Sequence, residues 1–291
     1  MNSIDIESKK FLGQPKNFVS IFNALLFDGK QVLKPEYLKD ENSELVMNVS
    51  SKHVDIIKRY EDGTYLDLFV IESQSYVDPS MVARVMEYES VARMRYIRQN
   101  FKKHVPMHTR LPMILTVVLY VGESKWNAAK RLSELEIIHP GFEDMFNEFK
   151  LNLIELNTNH KYNTGEKATQ DFFDLLRMIY RKQILKEDLD REFNRDALYF
   201  AYVVTKNKEL LNIYQESEKG DVKVCRALDE MFEESTNKGI QMGIKQGIEQ
   251  GIALNQFEVY QTMLDKGFSV KAIASIFSVS EESIKTLLMK A

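Results

Sequence analysis

The segment from Asp55 to Gln74 constrains the fold of this chain more than any other part of it. It reads D-I-I-K-R-Y-E-D-G-T-Y-L-D-L-F-V-I-E-S-Q, two apolar runs on either side of Asp62-Gly63. An Asp-Gly pair between runs rich in β-formers predicts a hairpin with a two-residue loop, which would pair Glu61 with Thr64. The second run is apolar on both faces, so it is predicted to be a strand buried on both sides.

Two carboxylates lie at the same end of this predicted hairpin. In the expected register Asp55 is opposite Val70, which makes Asp55 and Glu72 diagonal neighbours on one face, with Gln74 on the same face. Diagonal neighbours are roughly 7 Å apart, close enough for two carboxylates to share a divalent cation. A carboxylate at the end of a buried strand needs a metal ion or a basic side chain to offset its desolvation. Lys58 is predicted to face away, opposite Asp67.

The arrangement resembles the PD-(D/E)XK nuclease signature, with Gln74 in the position of the lysine. Together with this signature, further stretches resemble the Rpn family of recombination-promoting nucleases, which is also labelled a family of putative transposases. The resemblance covers about residues 1–255. These stretches are N-F-V-S-I-F-N-A-L-L-F-D-G at 17–29, E-S-Q-S-Y-V-D-P-S-M-V-A-R-V-M-E-Y at 72–88, L-P-M-I-L-T-V-V-L-Y-V-G-E-S-K-W at 111–126 and the glycine-repeat segment at 239–251.

The resemblance implies a fold, an activity and a set of site residues. The fold would be a PD-(D/E)XK restriction-endonuclease-like core of αβββαβ order, and the activity a DNA endonuclease that requires Mg²⁺ or Mn²⁺. Asp55 and Glu72 would hold the metal. Gln74 would orient the attacking water by hydrogen bonds, because an amide carries no charge and cannot donate a proton to the reaction. Asn23 is the one polar candidate in the first predicted helix, where related nucleases often carry a further acid.

A second hypothesis belongs to a different functional class. The chain would be a catalytically weak protein that binds DNA or oligomerises on a nuclease fold, because a fold does not guarantee an activity. The presence of both Asp55 and Glu72 favours the enzyme.

Hydrophobic periodicity predicts an α/β or α+β protein with a mixed central sheet, followed by a helical C-terminal region. The predicted elements are a helix at 15–27, strands at 45–52, 54–60 and 65–74, a helix at 79–100, strands at 113–121 and 151–156, and helices from 166 onward. We expect four regions. They are a nuclease-like core at 1–160, a helical extension packed on that core at 161–236, a glycine-repeat helix at 237–256 and a small helix-turn-helix-like unit at 257–291.

A basic segment follows directly after Glu72 and Gln74. Residues 81–110 hold seven basic and two acidic side chains, with aromatic residues between them. The segment is either a solvated helix face or a patch that neutralises DNA phosphates, and its position after the acidic residues favours the second. The predicted nucleic-acid-binding residues are Arg84, Arg93, Arg95, Arg98, Lys102 and Lys103.

The glycine-repeat segment reads G-I-Q-M-G-I-K-Q-G-I-E-Q-G, with glycine and isoleucine each recurring every fourth residue. Each glycine costs up to about 1 kcal/mol of helix propensity. Close packing against a second copy would offset this cost, so the segment predicts a homodimer formed through 239–252, with a flexible linker as the alternative. In the tail, Glu281 and Glu282 begin the second predicted helix, and their charge favours protein interaction or capping over DNA reading.

Composition restricts the remaining functional classes. The chain has 291 residues and a net charge of −4, so any DNA-binding patch must be local. No phosphate-binding glycine loop or nucleotide fingerprint is present, so no small-molecule cofactor is predicted. The first residues lack a charged and then apolar run, and no apolar stretch approaches 18 residues. We therefore expect a cytoplasmic protein without a membrane span.

Overall fold

The computed structural model describes residues 3–41, 56–63, 66–217 and 220–290. Asp55 and the strand predicted at 45–52 lie outside these residues. The chain divides into two units, residues 1–229 and residues 230–291.

The first unit contains both helices and strands, whereas the described part of the second contains only helices. The helices are α1 (Ser3–Leu12), α2 (Pro15–Phe27), α3 (Met81–Asn100), α4 (Lys167–Arg181), α5 (Arg195–Thr205), α6 (Lys208–Glu216), α7 (Cys225–Asp265), α8 (Val270–Phe277) and α9 (Glu281–Lys290). The strands are β1 (Leu38–Asp40), β2 (Ile56–Glu61), β3 (Leu66–Gln74), β4 (Ile114–Tyr120), β5 (Asn152–Glu155), β6 (Glu192–Phe193) and β7 (Val222–Lys223).

Five strands form one mixed sheet in the order β1-β2-β3-β4-β5. β1, β2 and β3 pair antiparallel, whereas β3, β4 and β5 pair parallel. β3 is therefore the central strand, and helices cover both of its faces. This burial explains why its sequence is apolar at nearly every position before Glu72. The predicted mixed sheet and the helical C-terminal region are confirmed.

The hairpin between β2 and β3 forms, but its predicted register is wrong. Glu61 pairs with Leu66, and Lys58 pairs with Phe69 rather than with Asp67. The predicted two-residue loop would need positive φ at both central residues, and only Gly63 has it, at 87°. The connection therefore spans residues 62–65. Because the register shifts by two residues, side chains keep their predicted faces, and Lys58 does face away from Glu72.

Two short elements precede the hairpin and escaped the sequence prediction. α1 lies before the helix predicted at 15–27, and β1 lies between that helix and the strand predicted at 45–52, where no element was predicted. β1 has only three residues and pairs with β2 from Leu38↔Tyr60 to Asp40↔Lys58. So short a strand has no periodicity to detect, and only its pairing with β2 defines it.

The helix α3 connects two parallel strands and so runs antiparallel to them. Its first turns, at Met81 and Val85, pack near the carboxyl ends of the strands, against Val118 and Tyr120. Its middle packs near the amino ends, in a buried cluster with Leu68 and Ile114. This crossover places the start of α3 beside the end of β3.

The opposite face of the sheet is covered by α2. The Phe22 ring contacts the Phe69 ring at a centroid distance of 4.8 Å. Behind α2, the Ser20 hydroxyl donates to Thr169 of α4 at 2.8 Å, and this bond joins two helices through buried polar groups. The Phe11 ring of α1 stacks on Phe200 of α5 at 4.9 Å. The helices α4 and α5 therefore belong to the same compact unit as the sheet.

The second unit consists of the later part of α7, with α8 and α9. Tyr260, Ile273 and Ile284 are buried together in its small core. Gly267 ends the α7 turn with a φ of 90°, a conformation that favours glycine. α8 and α9 lie within residues 257–291, where the sequence predicted a small helix-turn-helix-like unit. Among the described residues, no helix has both the length and the apolar character needed to cross a membrane.

Candidate active site

Glu72 and Gln74 lie at the carboxyl end of β3, in the middle of the sheet. Their parallel partners on β4 are Val118 and Tyr120. Both side chains point to the face covered by α3, and their exposed fractions are 2% and 6%. A carboxylate this deeply buried is costly unless it is paired. The partners of Glu72 therefore decide what the site can do.

Gln74 is held by Glu72, and the contact determines the orientation of its amide. Gln74 Nε2 donates to Glu72 Oε1 at 2.9 Å. A carboxylate only accepts hydrogen bonds, so the amide nitrogen must face it and the amide oxygen must point away. Gln74 Oε1 is buried and accepts no hydrogen bond from the described residues. It is therefore an acceptor that a water molecule can use.

Arg84, on the first turns of α3, supplies the basic partner of Glu72. Its NH2 group donates to Glu72 Oε1 at 2.9 Å, and its NH1 group donates to Asp78 Oδ2 at 2.5 Å. One guanidinium thus bridges two carboxylates, and only 13% of its side chain is exposed. Arg84 was predicted to bind nucleic acid. In the described structure its donors instead face the protein interior.

Asp78 belongs to the connection that leads from β3 into α3. Its Oδ1 accepts hydrogen bonds from the Ser80 backbone N–H at 2.9 Å and from the Ser80 hydroxyl at 2.7 Å. Although burial raises the pKa of Asp78, the hydrogen bonds from Ser80 and Arg84 together hold this pKa below its usual value. The carboxylate is therefore ionised at neutral pH. Asp78 ties the start of α3 to the end of β3.

Tyr88, one helical turn beyond Arg84, also holds the guanidinium by hydrogen bonds. The Tyr88 hydroxyl accepts from Arg84 Nε at 3.0 Å and from NH2 at 2.8 Å. Burial, followed by the charge of Glu72, raises the pKa of Tyr88. Burial lowers the pKa of Arg84, but the hydrogen bonds to Asp78 and Tyr88 outweigh this effect and raise it overall. Arg84 is therefore a permanent cation at this end of the sheet.

Glu72 and Gln74 fit an oxygen-ligated divalent cation in the chemistry of their oxygen atoms. Carboxylate oxygens are the ligands that Mg²⁺ prefers, and Glu72 is a buried carboxylate beside the unused Gln74 Oε1 acceptor. Asp55, the second predicted ligand, lies outside the described residues. Within them, no group of three or more His, Cys, Asp or Glu could hold a metal. Glu72 is thus the one predicted ligand that the structure describes.

The other predicted nucleic-acid-binding residues lie toward the far end of α3. Arg93 is paired with the buried Glu89 at 2.8 Å and is half-exposed. Arg98, Lys102 and Lys103 are exposed, and no salt bridge within the described residues involves them. Arg98 is 14 residues after Arg84, a distance of about 20 Å along a helix.

Arg95, also in the far half of α3, is only partly exposed and has no salt bridge within the described residues. The predicted basic segment therefore separates into a buried Arg84 and an outer group of cations.

Two other polar sites in the first unit have structural roles. Asn23 donates to the Leu33 carbonyl and accepts from its N–H, both at 2.9 Å, so both ends of its amide hold the loop after α2. On α4, Asp171 accepts from Arg191 at 2.6 Å and from the Asn194 N–H at 2.7 Å. Arg191 also donates to Asp174, at 2.8 Å. These buried acids are neutralised by protein cations.

Arg84 and Asp78 are the site residues that sequence reasoning did not assign to the acid cluster. The spacing of Arg84 in the sequence does indicate a buried position. This arginine lies three residues after Met81 and four before Tyr88, in phase with the buried stripe of α3. An arginine in such a stripe must meet a buried acid. The sequence could not say which acid, because that depends on how α3 crosses the sheet.

Comparison with known proteins agrees with the resemblance seen in the sequence. Residues 9–210 match the family model described as "Putative transposase, YhgA-like". The matched region contains the whole five-stranded sheet together with Glu72, Gln74, Asp78 and Arg84. No curated protein and no solved structure matches the chain.

Proposed function

Because this chain belongs to the family of YhgA-like putative transposases, we propose that it is a divalent-metal-dependent DNA endonuclease. The family suggests a function related to mobile elements, and in this proposal that function is phosphodiester hydrolysis during recombination. The proposed fold is a PD-(D/E)XK core, and the proposed cofactor is Mg²⁺ or Mn²⁺.

The observation that carries the proposal is the Glu72–Gln74 pair. A carboxylate and an amide lie side by side at the end of a buried central strand, joined by a 2.9 Å hydrogen bond, and the amide oxygen has no hydrogen-bond partner in the described structure. Burying these polar groups does not by itself stabilise the fold, because a buried polar atom favours folding only when it makes a hydrogen bond. A buried polar atom without a hydrogen-bond partner needs an explanation, and a catalytic role is one of them.

Each residue of the proposed site has a separate role. Glu72 and Asp55 would hold the metal ion. When bound, the ion would polarise the scissile phosphate and lower the pKa of a water molecule. Gln74 Oε1 would accept a hydrogen bond from that water and orient it, since an amide cannot remove a proton. Arg84 would contribute charge without touching DNA, because its side chain is mostly buried and its hydrogen bonds in the described structure go to Glu72, Asp78 and Tyr88.

The outer cations on and after α3 would hold the DNA backbone. About 20 Å of helix separates them from Arg84, which corresponds to about six base pairs of B-form duplex. Arg98, Lys102 and Lys103 would therefore contact phosphates several base pairs from the cleaved bond. Such contacts position DNA without reading its sequence.

A homodimer through 239–252 belongs to the same proposal. Ile240, Ile244, Ile248 and Ile252 lie on α7 with exposed fractions of 54% to 58%. A Cβ atom added at Gly243 would meet no atom within 4 Å. A second copy could bury this face and present one site to each DNA strand.

The decisive experiment is nicking of a supercoiled plasmid with Mg²⁺ or Mn²⁺. We expect the wild-type protein and the exposed-site variant Glu136→Ala to nick the plasmid. Glu72→Ala and Asp55→Ala should not, and EDTA should stop the reaction. Equal nicking by Glu72→Ala and wild type would exclude this site. A wild type that binds DNA but does not nick it with either metal would reject the enzyme.

That last result would favour the second candidate, a catalytically weak DNA-binding or oligomerising protein. Two observations support this alternative. Gln74 stands where the parent signature has lysine, and Arg84 already neutralises Glu72. A salt-dependent DNA affinity without nicking would identify this function.

A further inference from the structure

We propose that Arg84 is an internal counter-cation that competes with the divalent metal for Glu72 and thereby sets the metal affinity of the site. The inference rests on the proposed metal site, and it assigns Arg84 as a positioning residue that acts through Glu72. Arg84 holds the acids together when no metal is bound, and its charge weakens metal binding.

The contacts of Arg84 support this role. The guanidinium reaches Glu72 Oε1 at 2.9 Å and Asp78 Oδ2 at 2.5 Å. Glu72 is 2% exposed and Asp78 is 8% exposed, so water can screen neither charge effectively. The Tyr88 hydroxyl accepts two further hydrogen bonds, at 3.0 and 2.8 Å, and fixes the guanidinium in place. Arg84 is therefore held beside Glu72 and does not extend into solvent.

Removing Arg84 would have two opposite effects on metal binding. The site would lose a positive charge next to a metal ligand, which favours a divalent cation. It would also lose a group that orients the carboxylate, which disfavours binding. Gln74 Nε2 donates to the same Glu72 oxygen at 2.9 Å and would still orient it. The charge effect should therefore dominate, since Coulomb interactions at a few ångströms are strong in a poorly screened site.

Asp78 shares the Arg84 guanidinium with Glu72, so the loss of Arg84 affects both carboxylates. With Arg84 absent, Glu72 and Asp78 would both be buried carboxylates without this cation. Breaking a buried ion pair by removing one partner is strongly destabilising. A divalent ion would then restore the charge balance and stabilise the fold more than it does in the wild type.

The test is titration of the full-length protein with Mn²⁺ by isothermal calorimetry, together with thermal unfolding with and without Mn²⁺. The variants are Arg84→Gln, Arg84→Lys and Arg93→Gln. Arg93 is a matched control because it lies on the same helix and pairs with a buried glutamate at 2.8 Å.

We expect Arg84→Gln to unfold at a lower temperature without metal, to bind Mn²⁺ about tenfold more tightly, and to gain more stability from Mn²⁺ than wild type does. Arg84→Lys keeps the charge and should restore a Kd close to that of wild type. Arg93→Gln should lose stability without a change in Kd. If Arg84→Gln is unfolded without metal, saturating Mn²⁺ should restore its folded circular dichroism spectrum.

The proposal is overturned if Arg84→Gln binds Mn²⁺ with unchanged or weaker affinity, or if saturating Mn²⁺ does not refold an unfolded Arg84→Gln. In either case, Mn²⁺ binding by the wild type would leave the proposed nuclease site standing. If neither the wild type nor any variant binds Mn²⁺, both this inference and the proposed metal site fail.

Discussion

Gln74 is where this chain departs from the parent signature, and its surroundings limit what it can do. Its amide nitrogen is committed to Glu72 at 2.9 Å, and only its oxygen is available to a water molecule. An amide oxygen can orient a water but cannot activate it as a base. At the residue scale, the chemistry of the proposed site therefore depends on orientation more than on proton transfer.

Two substitutions at Gln74 test this role. Gln74→Ala should lower the cleavage rate by about 10- to 100-fold while metal affinity changes little, because only the water loses its partner. Gln74→Lys should keep or raise the rate, since a lysine amine can still donate to Glu72. Nicking kinetics and calorimetry measure the two quantities, with the exposed Gln99→Ala as control. Loss of metal binding at an unchanged rate per bound metal would contradict the assignment.

Asp78 should make acid stability depend on pH in a defined direction. Its pKa is lowered in the folded state, so its contribution to stability is fully present above the unfolded pKa of about 3.9 and is lost as pH falls through the folded pKa. Asp78→Asn should cost about 2–3 kcal/mol of unfolding free energy at pH 7, and the difference from wild type should shrink below about pH 4. Urea unfolding at several pH values measures this, with Glu136→Gln as control. A difference that stays constant down to pH 3 would show that the charge of Asp78 is not involved.

At the scale of elements, α3 performs two tasks at its two ends. Its first turns supply Arg84 and Tyr88 to the acids at the end of β3, whereas its far end and the following loop carry exposed cations. This division follows from the crossover between parallel strands, because the helix must run back along the full length of the sheet. The basic segment thus has one buried structural part and one solvent-facing part.

Charge reversal of the solvent-facing part tests its role in DNA binding. Arg98→Glu with Lys102→Glu should weaken binding uniformly across DNA sequences and reduce the salt slope by about one unit per lost phosphate contact. The matched control is Lys125→Glu with Lys161→Glu, which reverses two exposed lysines elsewhere in the first unit. Affinities at several salt concentrations provide the slopes. An unchanged slope in the α3 variant would identify this region as an ordinary solvated face.

At the scale of the whole molecule, the glycine-repeat face of α7 is a regular surface that the described residues leave exposed. A Cβ atom added at Gly239, Gly243, Gly247 or Gly251 would meet nothing within 4 Å. The four glycines together cost a few kcal/mol of helix propensity relative to alanine. Nothing in the described residues offsets this cost, whereas close approach of a second helix would.

Self-association can be tested with two matched pairs of substitutions. Gly243→Ala with Gly247→Ala should stabilise the isolated helix by about 0.5–1 kcal/mol per site, and Gly243→Leu with Gly247→Leu should abolish the dimer by steric exclusion. Light scattering gives the mass, and thermal unfolding gives the stability. We expect a folded monomer for the leucine pair. A wild type that is itself monomeric at micromolar concentration would assign the segment to a linker.

The sequence alone determined the elements whose signals are local. The apolar stripe of α2, the continuous apolar run of β4 and the caps of α8 and α9 all follow from residues close together in the chain, so these elements were predictable. The faces of Lys58, Glu72 and Gln74 also followed, because alternation along a strand survives a register error of two residues.

Only the tertiary structure decided which groups meet. The hairpin register depended on the loop around Gly63, whose neighbour Asp62 does not adopt the positive φ that a two-residue loop requires. The pairing of Arg84 with Glu72 depended on the path of α3 across the sheet, which joins residues 12 positions apart through a strand-to-helix connection. Local patterns specify conformation and face, but a buried charge finds its partner through packing, and packing is a property of the whole unit.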